Sequence, residues 1–159
     1  MSNVELTAGD DAPEFEAEIS DGSTVTLSGL LSSGKKVILY FYPRDNTPGC
    51  TTQACDFRDN FGRLEGSGWT VIGVSTDGAN SHNKFIQKHE LPFELIVDED
   101  AVLHEKFGTW REKSMYGKTY MGTLRSTFAI ASDGKLEWVG YGVKTKGHVD
   151  LLIDALKVE

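Results

Sequence analysis

The chain has 159 residues, 39% hydrophobic and 25% charged, which suits one folded domain with a real core. A net charge of −8 with no block of Lys and Arg argues against a nucleic-acid partner. No run approaches the ~20 apolar residues needed to span a bilayer. The acidic start MSNVELTAGDDAPEF fits neither a secretory signal nor a transit peptide, so a cytoplasmic protein without a membrane partner is expected. There are no repeats, low-complexity tracts or linker-like stretches. A single domain is expected over 1–159, folded from about residue 4 to the end.

Phe15 to Ile19 alternates, Ser20-Asp21-Gly22 turns and Thr24 to Leu27 follows, which predicts an N-terminal β-hairpin. Lys36 to Tyr42 is almost continuously apolar and predicts a strand buried on both faces, ended by Pro43. Phe57, Phe61 and Leu64 at helical spacing predict a helix over 50–65, closed by Gly66. Trp69 to Ser75 predicts a second buried strand. Residues 80–90 read as a helix with Phe85, Ile86 and His89 on one side, and Phe93 to Val97 as a short strand. Asp98 is placed to cap a helix carrying Ala101, Val102 and Phe107, and Asp98-Glu99-Asp100 reads as its solvated start.

Residues 108–122, rich in Gly and Tyr, read as a long ordered loop in which Trp110, Tyr116 and Tyr120 pack. Ser126 to Ile130 and Lys135 to Val139 flank Ser132-Asp133-Gly134 as a second hairpin. The end, 147–157, is an amphipathic helix with Val149, Leu152, Ile153 and Leu156. The order predicts an α/β fold, a central mixed sheet with helices on both faces. The two buried strands are expected to be parallel, joined by the helix that begins near Cys50.

The chain has two cysteines, Cys50 and Cys55, both in FYPRDNTPGCTTQACDF. Two are too few for a disulfide scaffold, and a close pair in a reducing compartment points to catalysis, redox chemistry or metal binding. Cys50 falls after a buried strand and in the first turn of a helix, the edge where ligand sites of open α/β sheets collect. Free backbone N–H groups and the helix dipole there favour a thiolate, which places Cys50 as a nucleophile. On an ideal helix, Cα atoms five positions apart are separated by roughly 8.6 Å, beyond the ~6.8 Å reach of a disulfide. Either Cys50 and Cys55 never pair, or the first helical turns unwind. Cys55 alone reads equally well as a buried core thiol. A zinc site would need two ligands from His82, His89, His104 and His148, none at close paired spacing with the cysteines. The histidines have no evident role. Gly117-Lys118-Thr119 lacks the earlier glycine of a P-loop, Glu112 standing there, and Gly73 to Asp77 lacks the closing glycine of a nucleophile elbow.

Pro43-Arg44-Asp45-Asn46-Thr47-Pro48-Gly49-Cys50 resembles the peroxiredoxin active-site pattern of Pro, three residues, Thr, two residues, Cys. The longer YFYPRDNTPGCTTQACDFRD is similar to the PrxQ, or bacterioferritin comigratory protein, branch, in which a second cysteine five residues on is typical. GTWREKSMYGKTYMG and Arg125-Ser126-Thr127-Phe128 agree with that branch in order, and Gln53, standing where Glu is frequent, is read as having no catalytic consequence. The resemblance implies a thioredoxin-like fold and reduction of hydrogen peroxide and alkyl hydroperoxides without metal, haem or flavin. It implies Cys50 as peroxidatic and Cys55 as resolving cysteine, joined by a transient disulfide. Thr47 would bond thiolate and peroxide, Pro43 would shield the pocket, and Arg125 would steady the charge; taken alone, Arg125 reads as a surface residue. The physical requirement agrees, because negative charge moves to the leaving oxygen. The Gly49 and Cys50 backbone N–H groups, Thr47 and Arg125 are the candidate donors. Thioredoxin, or else glutaredoxin, is the expected reductant, and the protein is expected to be a monomer. Two other readings are a dithiol oxidoreductase acting on proteins, which usually carries Cys-x-x-Cys, and a non-enzymatic peroxide sensor.

Overall fold

The computed structural model describes residues 4–158. Its chain opens with a hairpin, β1 (Glu16–Ile19) paired antiparallel with β2 (Thr24–Thr26). The second strand stops one residue short of the predicted Leu27. The Thr26 hydroxyl accepts from the Gly29 N–H at 3.0 Å and so caps α1 (Leu27–Leu31), a helix the sequence reading missed. A short 3-10 turn leads to β3 (Lys36–Phe41).

Then come α2 (Pro48–Asp59), α3 (Phe61–Gly66), β4 (Trp69–Ser75), α4 (Ala79–His89), β5 (Glu94–Val97) and α5 (Val102–Phe107). The chain closes with β6 (Trp110–Met115), β7 (Lys118–Thr123), β8 (Ser126–Ile130), β9 (Leu136–Tyr141) and α6 (His148–Ala155). Seven strands form one sheet in the order β2-β1-β5-β4-β3-β8-β9. Strands β3, β4 and β5 run parallel, and β1 and β8 run against them, so the sheet is mixed as expected.

Alternation along β3 divides the core in two. Ile38, Tyr40 and Tyr42 face a layer built with Phe57, Leu64, Phe85, Val149 and Leu152 from α2, α3, α4 and α6. Val37, Leu39 and Phe41 face Leu103, Phe107 and Phe128 on the other side. Gly73 on β4 makes room for this: a Cβ there would lie 2.8 Å from Leu95 Cδ2 and 3.0 Å from the Tyr40 ring.

Three expectations need correction. The single helix over 50–65 is two, broken at Asn60, whose side-chain amide donates to the Asp56 carbonyl at 2.9 Å and competes with the helix ladder. The expected loop over 108–122 is largely the hairpin β6–β7, paired from Trp110↔Thr123 to Met115↔Lys118. Its turn residues Tyr116 and Gly117 have φ of 52° and 76°, the positive pair of a tight hairpin turn that usually advertises itself as Asn-Gly. Tyr116 is 97% exposed there and Tyr120 is also exposed, so neither packs as expected, while the Trp110 ring meets His104 edge-on at 5.5 Å. Finally, Asp98 is buried rather than solvated. Its carboxylate accepts from the Leu103 and His104 N–H groups at 3.0 and 2.9 Å, so it does cap α5, while Ala101 precedes that helix.

His104 and His148, given no role from sequence, are structural fixtures. His104 bridges Asp98 (2.6 Å) and Thr123 (2.9 Å). His148 is buried at the start of α6, its Nε2 2.8 Å from the Thr127 hydroxyl. Burial first, then the Arg125 charge, push its pKa from 6.5 down to about 4. Below about pH 6.5 the unfolded chain takes up a proton that the folded chain refuses, so stability falls as pH drops from 6.5 towards 4 and this contribution levels off below. The loss is at most ~3 kcal/mol. His148→Gln is expected to flatten this limb in urea unfolding measured across that range. An unchanged slope would show that His148 does not carry it.

Candidate active site

The site forms where β3 and β4 end and α2 begins. Thr47 is the extended N-cap residue of α2 (φ −83°, ψ 154°) and Pro48 occupies the first turn, where its missing N–H costs nothing. Cys50 therefore stands in the first turn, as expected, with its residue 2% exposed. Phe41 pairs with Ser126 across the antiparallel β3–β8 ladder, so Arg125 lies just before β8, at the edge where β3 stops.

Sequence separation hides the contact that follows. Arg125 Nη2 donates to Cys50 Sγ at 3.2 Å, and Nη1 donates to Gln53 Oε1 at 2.6 Å. The guanidinium fork thus spans one turn of α2, one arm on the Cys50 sulfur and the other on the buried Gln53. That bond gives Gln53 a structural partner far along the chain, which leaves the absence of a catalytic consequence for Gln in place of Glu as expected from sequence. Gly49 keeps the approach open, since a Cβ there would sit 3.1 Å from Thr145 Cγ2 and 3.6 Å from Arg125 Nη2. Thr145, beyond β9, is a further neighbour that no motif pointed to.

The other candidates divide. The Thr47 hydroxyl donates to the Arg44 carbonyl at 2.8 Å, which directs its proton into the loop rather than to Cys50. Gly49 and Cys50 follow Thr47 in the first turn of α2, where backbone N–H groups have no partner within the helix. Pro43 is half-buried and lines a cleft of about 280 Å³ with Arg44, Thr76, Trp110, Lys113 and Tyr120. Burial first, then the Arg125 charge, hold the Lys113 amine below the usual lysine range, and Cys50 acts in the opposite sense. The β6–β7 hairpin therefore adds a second cation to the electrostatics of the site.

Beneath the loop lies a network that the sequence did not disclose. The buried Asp45 carboxylate accepts from Tyr42 Oη (2.5 Å) and Ser81 Oγ (2.7 Å) and lies 2.7 Å from His82 Nδ1. His82 Nε2 reaches the Ile96 carbonyl at 2.8 Å, and the Asp45 N–H donates to Asp77 at 2.7 Å. These bonds tie residues 43–47 to α4, β5 and the end of β4. The only sequence signal was the position of Asp45 inside the motif.

Both cysteines are free, and both lie on the one continuous helix α2. That is the geometry in which ideal helical spacing forbids a disulfide. Cys55 is half-buried, its Sγ 3.9 Å from His89 Nδ1.

A buried cysteine in a helix's first turn, held by a guanidinium at the edge of a mixed sheet, defines a thiol-based enzyme. Comparison with known proteins agrees. The AhpC/TSA family model matches residues 8–139. Peroxiredoxin Bcp of Escherichia coli (strain K12) is 45% identical over 152 residues, 96% of each chain, and that of Bacillus subtilis (strain 168) is 47% identical over 154 residues, again 96% of each. Xanthomonas campestris peroxiredoxin Q superposes with a TM-score of 0.86 at 35% identity, over 97% of this chain and 96% of that one. The bacterioferritin comigratory protein of the same organism, described for its alkyl peroxide reduction activity, matches with a TM-score of 0.86 at 34% identity, over 97% and 96%. The chain belongs to the AhpC/TSA family, on the PrxQ or bacterioferritin comigratory protein branch of the peroxiredoxins. It has their thioredoxin-like fold and is a thiol-dependent peroxidase acting on peroxides. Among the described residues no helix is long and apolar enough to cross a membrane.

Proposed function

We propose that Cys50 is the peroxidatic and Cys55 the resolving cysteine, acting on hydrogen peroxide and alkyl hydroperoxides. The observation that carries this is the 3.2 Å contact of Arg125 with Cys50 Sγ at the N-terminus of α2. The Cys50 thiolate attacks one peroxide oxygen, the O–O bond breaks, and the second oxygen leaves as hydroxide or alkoxide. Arg125 and the Gly49 and Cys50 N–H groups stabilise the charge on that oxygen. The Thr47 hydroxyl turns from the Arg44 carbonyl to the bound peroxide, and Pro43 keeps water from the sulfur.

Cys50 is left as a sulfenic acid. The first turns of α2 unwind, Cys55 sulfur displaces the sulfenic oxygen as water, and a Cys50–Cys55 disulfide forms. A dithiol protein, thioredoxin or failing that glutaredoxin, restores both thiols by exchange. The cycle needs neither metal nor cofactor and no second copy of the chain, which supports a monomer of one domain working in the reducing cytoplasm. Coupled assays test this: peroxide consumption should be sustained by thioredoxin, thioredoxin reductase and NADPH. Reduction of insulin disulfides in place of peroxide would assign the protein to the disulfide oxidoreductases, and a single oxidation without turnover would make it a sensor.

A further inference from the structure

We infer that His89 is the general base of the resolving step, accepting the Cys55 thiol proton at Nδ1 as the Cys50–Cys55 bond forms. The inference rests on Cys55 being the resolving cysteine. Its ground is the junction between α2 and α4. Cys55 Sγ and His89 Nδ1 are 3.9 Å apart, a contact that can shorten to a hydrogen bond when the sulfur reacts.

The same junction explains how His89 stays in place while the helix opens. One turn beyond Cys55, Arg58 Nη1 donates to the His89 carbonyl at 2.9 Å, and Phe57 between them is fully buried. Phe85, also fully buried, meets the His89 ring edge-on at 5.3 Å. The C-terminal half of α2 is thus anchored to α4, whereas the turns before Cys55 carry the residue that must travel. Unwinding on that side brings Cys50 to a sulfur that has not left its base.

The charges around the ring favour its neutral form. Facing it are Arg58 from α2, itself paired with Asp59 at 2.9 Å, and Lys88 from α4; Glu90 acts on Arg58 from the end of α4. Burial first, then Lys88 and Arg58, hold the imidazole below its ordinary pKa, which favours the neutral ring with Nδ1 able to accept while making it a weaker base than an unperturbed histidine. The step balances. The Cys55 S–H bond breaks as its proton passes to Nδ1, and the sulfur pair forms the S–S bond. The Cys50 S–O bond breaks and its oxygen leaves as hydroxide, which becomes water on taking a proton.

The test separates the two chemical steps of His89→Asn after a pulse of one equivalent of hydrogen peroxide, quenched with a thiol-blocking reagent and read by intact mass between about pH 5.5 and 8.5. The peroxide step should match the native rate, which also shows that the site is folded. Disulfide formation should slow about 10-fold at pH 7, with a ceiling of roughly 30-fold, because a free thiol is already ~3% ionised there. In the variant it should rise nearly tenfold per pH unit, where the native rate is flat above the imidazole transition. An unchanged rate, or slowing by the same factor at every pH, would overturn the assignment, the latter leaving His89 a packing role. Cys55→Ser checks the underlying reading: if it turns over like the native protein, Cys55 resolves nothing and both readings fall, whereas persistent sulfenic acid in Cys55→Ser beside an unaltered His89→Asn removes His89 alone.

Discussion

Cys50→Ser is expected to abolish peroxide reduction, and the remaining thiol of that variant, Cys55, is expected to react with peroxide no faster than free cysteine. Cys55 lies past the first turn of α2, so it lacks both the open backbone donors and the Arg125 fork. Cys55→Ser is expected to do the reverse. Its Cys50 should still react at the native rate, but the sulfenic acid should persist long enough to be trapped by dimedone, and turnover with thioredoxin should collapse. The gap between the single-thiol variants should be at least about 10²-fold, the scale of fixed donors aimed at developing charge. Stopped-flow thiol consumption for both variants reads it directly, and equal rates would dissolve the division of roles.

Arg125→Met should lower the rate of the peroxide step by about 10²–10³-fold while leaving the fold in place. Methionine keeps the apolar stem of the side chain and removes the donors that reach Cys50 Sγ and Gln53 Oε1. Arg125→Lys should recover only part of the loss, since an ammonium is a point charge and cannot span Cys50 and Gln53 together. Second-order rate constants under excess peroxide check this. A loss below tenfold in Arg125→Met would mean that the helix N-terminus suffices to activate the sulfur.

The parts of the molecule that announce themselves in sequence are those whose causes are local. The apolar runs over Lys36–Phe41 and Trp69–Ser75 could only be interior strands, and they pair in parallel in the middle of the sheet. Cys50 could be placed in a first helical turn because Thr47 and Pro48 are helix-start residues. What stayed hidden depends on partners far along the chain. Gln53 acquires its role from a residue 72 positions away, and Asp45 from His82, 37 positions away. The hairpin over Trp110–Thr123 escaped notice because Tyr116-Gly117 is an unusual pair for a turn with two positive φ angles. Arg125 shows the boundary best. As one residue before a strand it meant nothing, and it became legible only through a family pattern, before the antiparallel register of β3 and β8 gave the physical reason.

The central claim is an activated Cys50 resolved within the same chain by Cys55. Mixing the fully reduced protein with one equivalent of hydrogen peroxide, and following free thiols with time and intact mass at the end, tests it in one experiment. Loss of both thiols far faster than free cysteine, with a mass lower by about 2 Da and no species of doubled mass, is the expected result. Thiol loss at the rate of free cysteine, or a product linked between two chains, would contradict it.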